Sequence, residues 1–324
     1  VTTELAVLHP ARTRNPHNLD HTPGGSSSGS AAAVADNMVP LAIGTQTGGS
    51  VIRPASFCGV YGLKPTHAMI SRTGVLMQAP PLDTIGVFAR SVEDLGLITD
   101  CLTAYDARDA WMRPRSRSRL RDMALQGPPV DPLFAFVKSP PWDEFAEDVT
   151  KEAFPELVEA LGEQCDMVEL PGVFSTALAM QKLIQSADIA KFYGPIQARA
   201  PDVISEALTK RIEQGKGITA VDYNSALDIR EALNAGLDEV FARYDAIITP
   251  ASPGPAPKGL GATGNPVFNS MWTYLGVPCA TLPLLEADGL PMGVQLVGAR
   301  HDDGRLLRNA RGLVEHLSAS GDND

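Results

Sequence analysis

The sequence predicts an α/β fold, a single mixed β-sheet core covered by helices. Short apolar runs bounded by Gly, Pro and Ser recur before residue 106 and again after residue 245, as buried strands do. Between them, residues 138–244 carry apolar side chains mainly at three- and four-residue spacing, which predicts a helical insertion. A chain of 324 residues is long enough for one large domain of this kind. The expected organisation is one domain over 1–324. It comprises a Ser/Gly-rich core at 1–106, a mainly helical insertion at 138–244 and a return to the sheet at 245–317.

Each element has its own signal. Ala31 to Ala35 suits a short helix, and Val39 to Ile43 a short buried strand. Phe57 to Leu63 and Thr84 to Ala89 read as strands. Ser91, followed by Glu93 and Asp94, marks a helix start, with a hydroxyl cap and acids in the first turn. Residues 107–130 contain Arg and Pro without periodicity and predict a surface connection. Leu133 to Val137 is a buried strand. The stretch 143–244 is mostly helical, most clearly in Ala220 to Tyr244, where Leu233, Leu237, Val240 and Phe241 keep helical spacing. Asp245 to Pro250 is a strand, Ser252 to Gly264 a Gly/Pro loop, and Cys279 to Leu285 and Gly293 to Val297 are strands. Gly304 to Leu317 closes the fold as a helix, and Ser318 to Asp324 form a polar tail.

Composition excludes several function classes. Hydrophobic residues make up 44% and charged residues 20%, ordinary globular values. A net charge of −11 disfavours nucleic acid as a partner, because phosphate binding needs a basic face. No apolar run reaches membrane-spanning length, so no membrane partner is expected. No basic stretch followed by an apolar core opens the chain, so no signal peptide is expected. The four cysteines, Cys58, Cys101, Cys165 and Cys279, form no C-x-x-C pair, which argues against zinc and thioredoxin-like chemistry. They are expected as buried free thiols in a reducing cytoplasm.

Two serine-bearing, glycine-rich segments carry the chemistry: Gly24-Gly25-Ser26-Ser27-Ser28-Gly29-Ser30 and Thr47-Gly48-Gly49-Ser50. A hydroxyl nucleophile needs a base, an oxyanion site and exposure. The Thr47–Ser50 segment can supply the oxyanion site, since uncovered N–H groups beside glycines can converge on one negative atom. The alternative is a tight turn without chemistry. Ser28 or Ser30 is expected to cap the following helix. Gly25 to Gly29 also matches G-x-S-x-G around Ser27, but that elbow requires a strand directly before it, and Asn18 to Pro23 is loop-like. No Gly-Lys-Ser/Thr follows, which excludes a phosphate-binding Walker loop. His17 and His21 lack a helical context for metal binding, and His301 and His316 read as surface or helix-end residues. His67 is left without a role.

These segments, together with Arg53-Pro54, Phe57-Cys58-Gly59-Val60-Tyr61-Gly62-Leu63-Lys64-Pro65-Thr66, Asp83-Thr84-Ile85-Gly86 and Phe268-Asn269-Ser270-Met271-Trp272-Thr273, resemble the amidase signature family. Gly289 to Gln295 extends the likeness, which covers nearly the whole chain. The resemblance implies the amidase signature fold and amide hydrolysis by a Ser–Ser–Lys triad, with no metal and no cofactor. Ser50 would be the nucleophile and Ser26 the bridging serine, held by a cis peptide bond. The N–H groups of Thr47, Gly48, Gly49 and Ser50 would form the oxyanion hole. Substrate contacts would come from near Met77, Phe268, Asn269, Trp272 and Thr273, together with the helical insertion. The family's lysine lies upstream of the first serine motif, and Val1 to Ala6 resembles a segment downstream of it. The resemblance thus implies an N-terminally truncated chain whose catalytic lysine lies outside the sequence, with Lys64 in a structural role.

Three departures stand out: Gln46 replaces a usual acid, Arg53 lies three residues after Ser50 rather than two, and Ala68 replaces a frequent glycine. The function implied is a cytoplasmic amidase acting on a small-molecule amide and releasing ammonia or an amine, with a homodimer as the default assembly. One alternative is an inactive fragment or binding protein without the lysine. Another is the glutaminase-type subunit of a tRNA-dependent amidotransferase, which needs a partner. The context of Trp272 resembles stand-alone amidases more than that subunit.

Overall fold

A computed structural model describes residues 12–321. Eight strands form one sheet: β1 (Ala42–Gln46), β2 (Tyr61–Lys64), β3 (Thr84–Ala89), β4 (Phe134–Phe136), β5 (Cys165–Met167), β6 (Ala246–Pro250), β7 (Cys279–Ala287) and β8 (Leu290–Val297). They lie in the order β1-β3-β2-β7-β8-β6-β4-β5. The pairs involving β1, β2, β3, β7 and β8 are antiparallel, whereas β4 pairs parallel with both β5 and β6. The sheet is therefore mixed, and helices cover both of its faces.

The two-residue strand period sorts the core into two layers. Phe134, Phe136, Ile248 and Leu296 face one side, packed with Leu95, Phe154 and the Asp303–Gly321 helix through Leu306 and Leu313. Ala135, Val137, Ile247 and Val297 face the other, against the insertion helices Ala177–Arg199 and Ala220–Phe241 and the Val267–Leu275 helix. Ser91 caps the Val92–Leu102 helix as expected, its hydroxyl accepting from the Asp94 N–H at 3.1 Å.

Several expectations need correction. The strand expected at Val39 to Ile43 runs three residues later and is an edge, paired only with β3, so its burial alternates instead of being complete. Phe57 ends the Ile52–Phe57 helix, and the chain reverses at Gly59 (φ +62°) before β2 begins. Residues 107–130 are more than a surface connection: they hold the Leu120–Leu125 helix and the buried Asp109. The insertion contributes β5, three residues that show too little pattern to read from sequence. The final helix continues through Ser318 to Gly321, with Ser318 bonding back to the Val314 carbonyl at 2.8 Å; the rest of the expected tail lies outside the described residues. Cys101 is exposed, unlike the other three cysteines. Among the described residues, no helix is long and apolar enough to cross a membrane.

Asp188 lies buried on the Ala177–Arg199 helix and accepts from the Tyr223 hydroxyl at 3.1 Å. Burial raises its carboxyl to about 6, opposed by the Tyr223 hydrogen bond and Lys191 and reinforced by Asp83. The folded state therefore holds this proton more tightly than the unfolded chain, whose carboxyl titrates near ~3.9. The stabilisation is complete below that value and is lost as pH rises through about 6. Thermal unfolding of Asp188→Asn is expected to give a higher midpoint than the parent at pH 8, with the difference shrinking toward pH 4. A pH-independent difference would contradict this account.

Candidate active site

The site forms where β1 ends and the chain turns through Thr47, Gly48, Gly49 and Ser50 into the Ile52–Phe57 helix. The turn is held through its carbonyls. Gln181 Nε2 donates to the Thr47 carbonyl at 2.9 Å, Thr273 Oγ1 to the Gly48 carbonyl at 2.6 Å, and the Arg53 N–H to the Gly49 carbonyl at 3.0 Å. The N–H groups of Thr47, Gly48, Gly49 and Ser50 donate to no acceptor within the described residues. A peptide plane whose carbonyl is fixed on one side presents its N–H on the other. The three fixed peptides carry the N–H groups of Gly48, Gly49 and Ser50, which stay unclaimed beside the Ser50 hydroxyl, where a cavity of about 360 Å³ is lined by Ser26, Ser50 and the turn itself.

Gln46 accounts for one departure from the family pattern. Its Oε1 accepts from the N–H groups of Val51 (2.8 Å) and Ile52 (3.0 Å), while its Nε2 donates to Thr273 Oγ1 at 2.9 Å. A carboxylate could only accept; the amide does both and links the turn to the Val267–Leu275 helix. Arg53 accounts for another. Its guanidinium is buried and donates through Nη2 to the Gly25 carbonyl (2.7 Å) and Thr263 Oγ1 (3.2 Å), leaving Nε and Nη1 without partners. Burial lowers its pKa to about 9.

The Gly25–Ser26 peptide is cis. The two serine segments are tied by the Ser27 N–H, which donates to the Ser50 carbonyl at 3.3 Å. Ser26 is exposed at the cavity and Ser50 is buried in its floor. Neither hydroxyl has a hydrogen-bond partner among the described residues. Ser28 and Ser30 do not cap the helix as expected. Ser28 donates back to the Gly24 carbonyl (2.6 Å) and Ser30 to the Ile43 carbonyl (2.8 Å), fastening the loop to its own helix and to β1.

Of the five residues expected to contact substrate, only Met77 lines the cavity. Phe268 faces the opposite core layer, edge-on to Trp142 at 6.5 Å. Trp272 is fully buried in the core. Asn269 and Thr273 stand behind the turn; Asn269 donates to the Ala251 carbonyl at 2.9 Å and rests its Oδ1 against Gly49. The residues that do line the cavity from the insertion are Gln181, Gln185, Tyr193 and Arg211, together with Pro266 and Ser270 from the segment around the Val267–Leu275 helix. Polar residues on a helix give no sequence signal that they face a cavity and not solvent.

The Met77 side of the cavity is held by charge. Arg72 makes a buried bidentate pair with Asp109 (2.9 and 2.7 Å) and donates to the carbonyls of Pro80 and Asp83. Asp83 accepts from the Thr47 hydroxyl at 2.6 Å and from the N–H groups of Gln78 and Ala79 at 2.8 Å. Lys64 is buried away from the cavity, donating to the Val277 and Pro65 carbonyls, and among the described residues no lysine lines the cavity. Burial pushes the Cys58 thiol up to about 12, so it is no competing nucleophile at neutral pH. His17 and His21 bond to the Cys58 and Ala256 carbonyls as loop anchors.

The amidase family model matches residues 2–307. The chain belongs to the amidase family. A glutamyl-tRNA(Gln) amidotransferase subunit from Thermotoga maritima is 32% identical over 346 residues, covering 97% of this chain and 72% of that relative. Relatives of this kind are spanned over 65% to 72% of their own length. Among solved structures, a vestigial protein complex bearing on the origins of an s-triazine catabolic enzyme aligns with TM-score 0.85 at 27% identity, over 95% of this chain and 69% of its own. The 6-aminohexanoate cyclic dimer hydrolase aligns with TM-score 0.83 at 25% identity, over 98% and 72%. The mixed sheet and its helical covering are the fold of this amidase family.

Gly49 tests the geometry of the turn. A Cβ at this position would collide with the Asn269 carboxamide, which is itself held by Ala251 and Gln295. Gly49→Ala is expected to displace the donors and lower kcat by about 10²–10³-fold, the cost of losing an oxyanion donor. Circular dichroism should stay unchanged. Parental kcat in a folded variant would contradict the role of the turn.

Proposed function

We propose that the protein hydrolyses a carboxylic amide to the acid and ammonia or an amine, through an acyl-enzyme on Ser50. One observation supports this reading: the Ser50 hydroxyl lines a cavity together with the Thr47–Ser50 turn, where the N–H groups of Gly48, Gly49 and Ser50 are unclaimed while the carbonyls of the same three peptides are engaged elsewhere. Ser50 Oγ attacks the amide carbonyl carbon, and the developing oxyanion accepts from these N–H groups. The Ser50 proton passes to Ser26, which exchanges it with a lysine carried by a segment preceding Val1. Collapse of the tetrahedral adduct breaks the C–N bond, and the leaving nitrogen takes the proton back through Ser26. Water then attacks the acyl carbon along the same proton route and frees the acid. The cytoplasm suits this reading, since it keeps the buried thiols of Cys58, Cys165 and Cys279 reduced.

A second reading has its own support in the relatives named as glutamyl-tRNA(Gln) amidotransferase subunits. In it the same chemistry releases ammonia from glutamine, and turnover needs a partner protein. The full-length protein, assayed for ammonia release from glutamine and from simple aliphatic and aryl amides, separates the two. Activity without a partner supports the stand-alone amidase. Ser50→Ala is expected to lower kcat by at least about 10⁴-fold in either case, by comparison with other serine hydrolases, with the melting temperature retained. Undiminished turnover in that variant would rule out the assignment.

A further inference from the structure

A second concavity, of about 490 Å³, is lined by Arg113, Arg115, Arg117, Arg230 and Arg300. Among the described residues no acidic side chain lines it, in a protein whose net charge is −11. Three of its arginines come from Arg113-Pro114-Arg115-Ser116-Arg117, where Arg alternates with Pro and Ser. This stretch is neither helix nor strand, and all three reach the same cavity.

The cationic charge there is poorly neutralised. Glu231 pairs with both Arg230 (3.4 Å) and Arg300 (3.2 Å), one carboxylate for two guanidiniums. Among the described residues, the Arg113 side chain donates only to the Ala110 and Met112 carbonyls (both 2.8 Å); Arg117 donates to the Met69 carbonyl (2.9 Å), with the buried Asp303 as the carboxyl that bears on it. Arg115 has no hydrogen bond or ion pair among the described residues. The remaining wall is firmly built. His301 has φ +71° and is held by its N–H donating to Thr66 Oγ1 at 2.9 Å, and Thr66 is bonded to the buried Asp303. Burial, followed by Arg115, Arg300 and Arg117, lowers the His301 pKa to about 4. Three arginines of the cavity thus bear on that imidazole.

We propose that this cavity binds a small oxyanion carrying two or more negative charges, of the phosphate or pyrophosphate type. Guanidinium groups match such oxygens in pairs, and a cluster short of carboxylates gains most from an anion. The volume exceeds what a single phosphate fills, and Trp111 stands at the rim, edge-on to His67 at 5.4 Å, where a bound organic group would meet it. Inorganic anions and the phosphoryl group of a small metabolite share this chemistry. The site shares no lining residue with the serine cavity; Arg72, in the wall of the latter, bonds His67, in the wall of the former, at 3.1 Å.

Calorimetric titration of the full chain with pyrophosphate, phosphate and AMP in low-chloride buffer tests the proposal. Saturable one-to-one binding of at least one of them is expected, weakened about tenfold or more in Arg115→Gln and in Arg117→Gln. The melting temperature of Arg115→Gln should match the parent, because that side chain is unpaired. Arg211→Gln, at the serine cavity, should leave binding unchanged. Tighter binding of AMP than of phosphate, with a change in Trp111 fluorescence, would identify a phosphorylated metabolite; preference for pyrophosphate would identify a free oxyanion. The proposal is overturned by no binding at millimolar anion, or by binding that survives both arginine substitutions or disappears in Arg211→Gln.

Discussion

The site depends on one constraint: the carbonyls of Thr47, Gly48 and Gly49 are all claimed by donors from other segments or the next helix, which leaves the N–H groups of the same peptides unclaimed. Free N–H groups aimed at one point are a strained resource in water, which would satisfy them separately. In the proposed reaction, fixing the other end of each peptide would make them a preorganised electrostatic site. Gln181 comes from the insertion, Thr273 from the penultimate helix and Arg53 from the helix that follows the turn. Segments remote in sequence therefore have to dock before the donors are set.

The sheet makes that docking possible. The run β1-β3-β2-β7 places the serine-rich edge beside the C-terminal strands, and the core face containing Ala135, Ile247 and Val297 receives the insertion helices. Gln46 is the joint between layers, because its amide meets the start of one helix and the hydroxyl of another. The same logic explains why Asn269 and Thr273, expected at the substrate, lie one layer back. They hold the turn, and the cavity wall passes to Met77 and the insertion.

Much of the fold is legible in the sequence because its signals are local. The expected limits of β3 match the observed ones, and the Ser91 cap, the long insertion helix and the late strands all follow from periodicity and capping chemistry. Elements whose limits depend on partners are harder to place. β1 is short and lies at an edge, so its residues look no different from the loop before it. β5 is too brief to show a period. In the site, the glycine–serine segments announce themselves, since few other roles require such a density of small residues. The supporting side chains do not. Gln181, Thr273 and Gln46 are polar residues whose importance arises only from what the fold places beside them. The arginine cavity is half visible: the alternating Arg run stands out in sequence, but its convergence with Arg230 and Arg300 does not.

The central claim is that Ser50 carries the acyl group. It is tested most directly by acid-quenching the full-length protein during turnover of an aryl amide and locating the adduct by peptide mass spectrometry. The account predicts an acyl ester on the peptide containing Ser50, at the Ser50 hydroxyl, that disappears as substrate is exhausted. An adduct on Ser26, Ser27 or Cys58, or steady amide hydrolysis with Ser50 never modified under conditions where deacylation limits the rate, would contradict it.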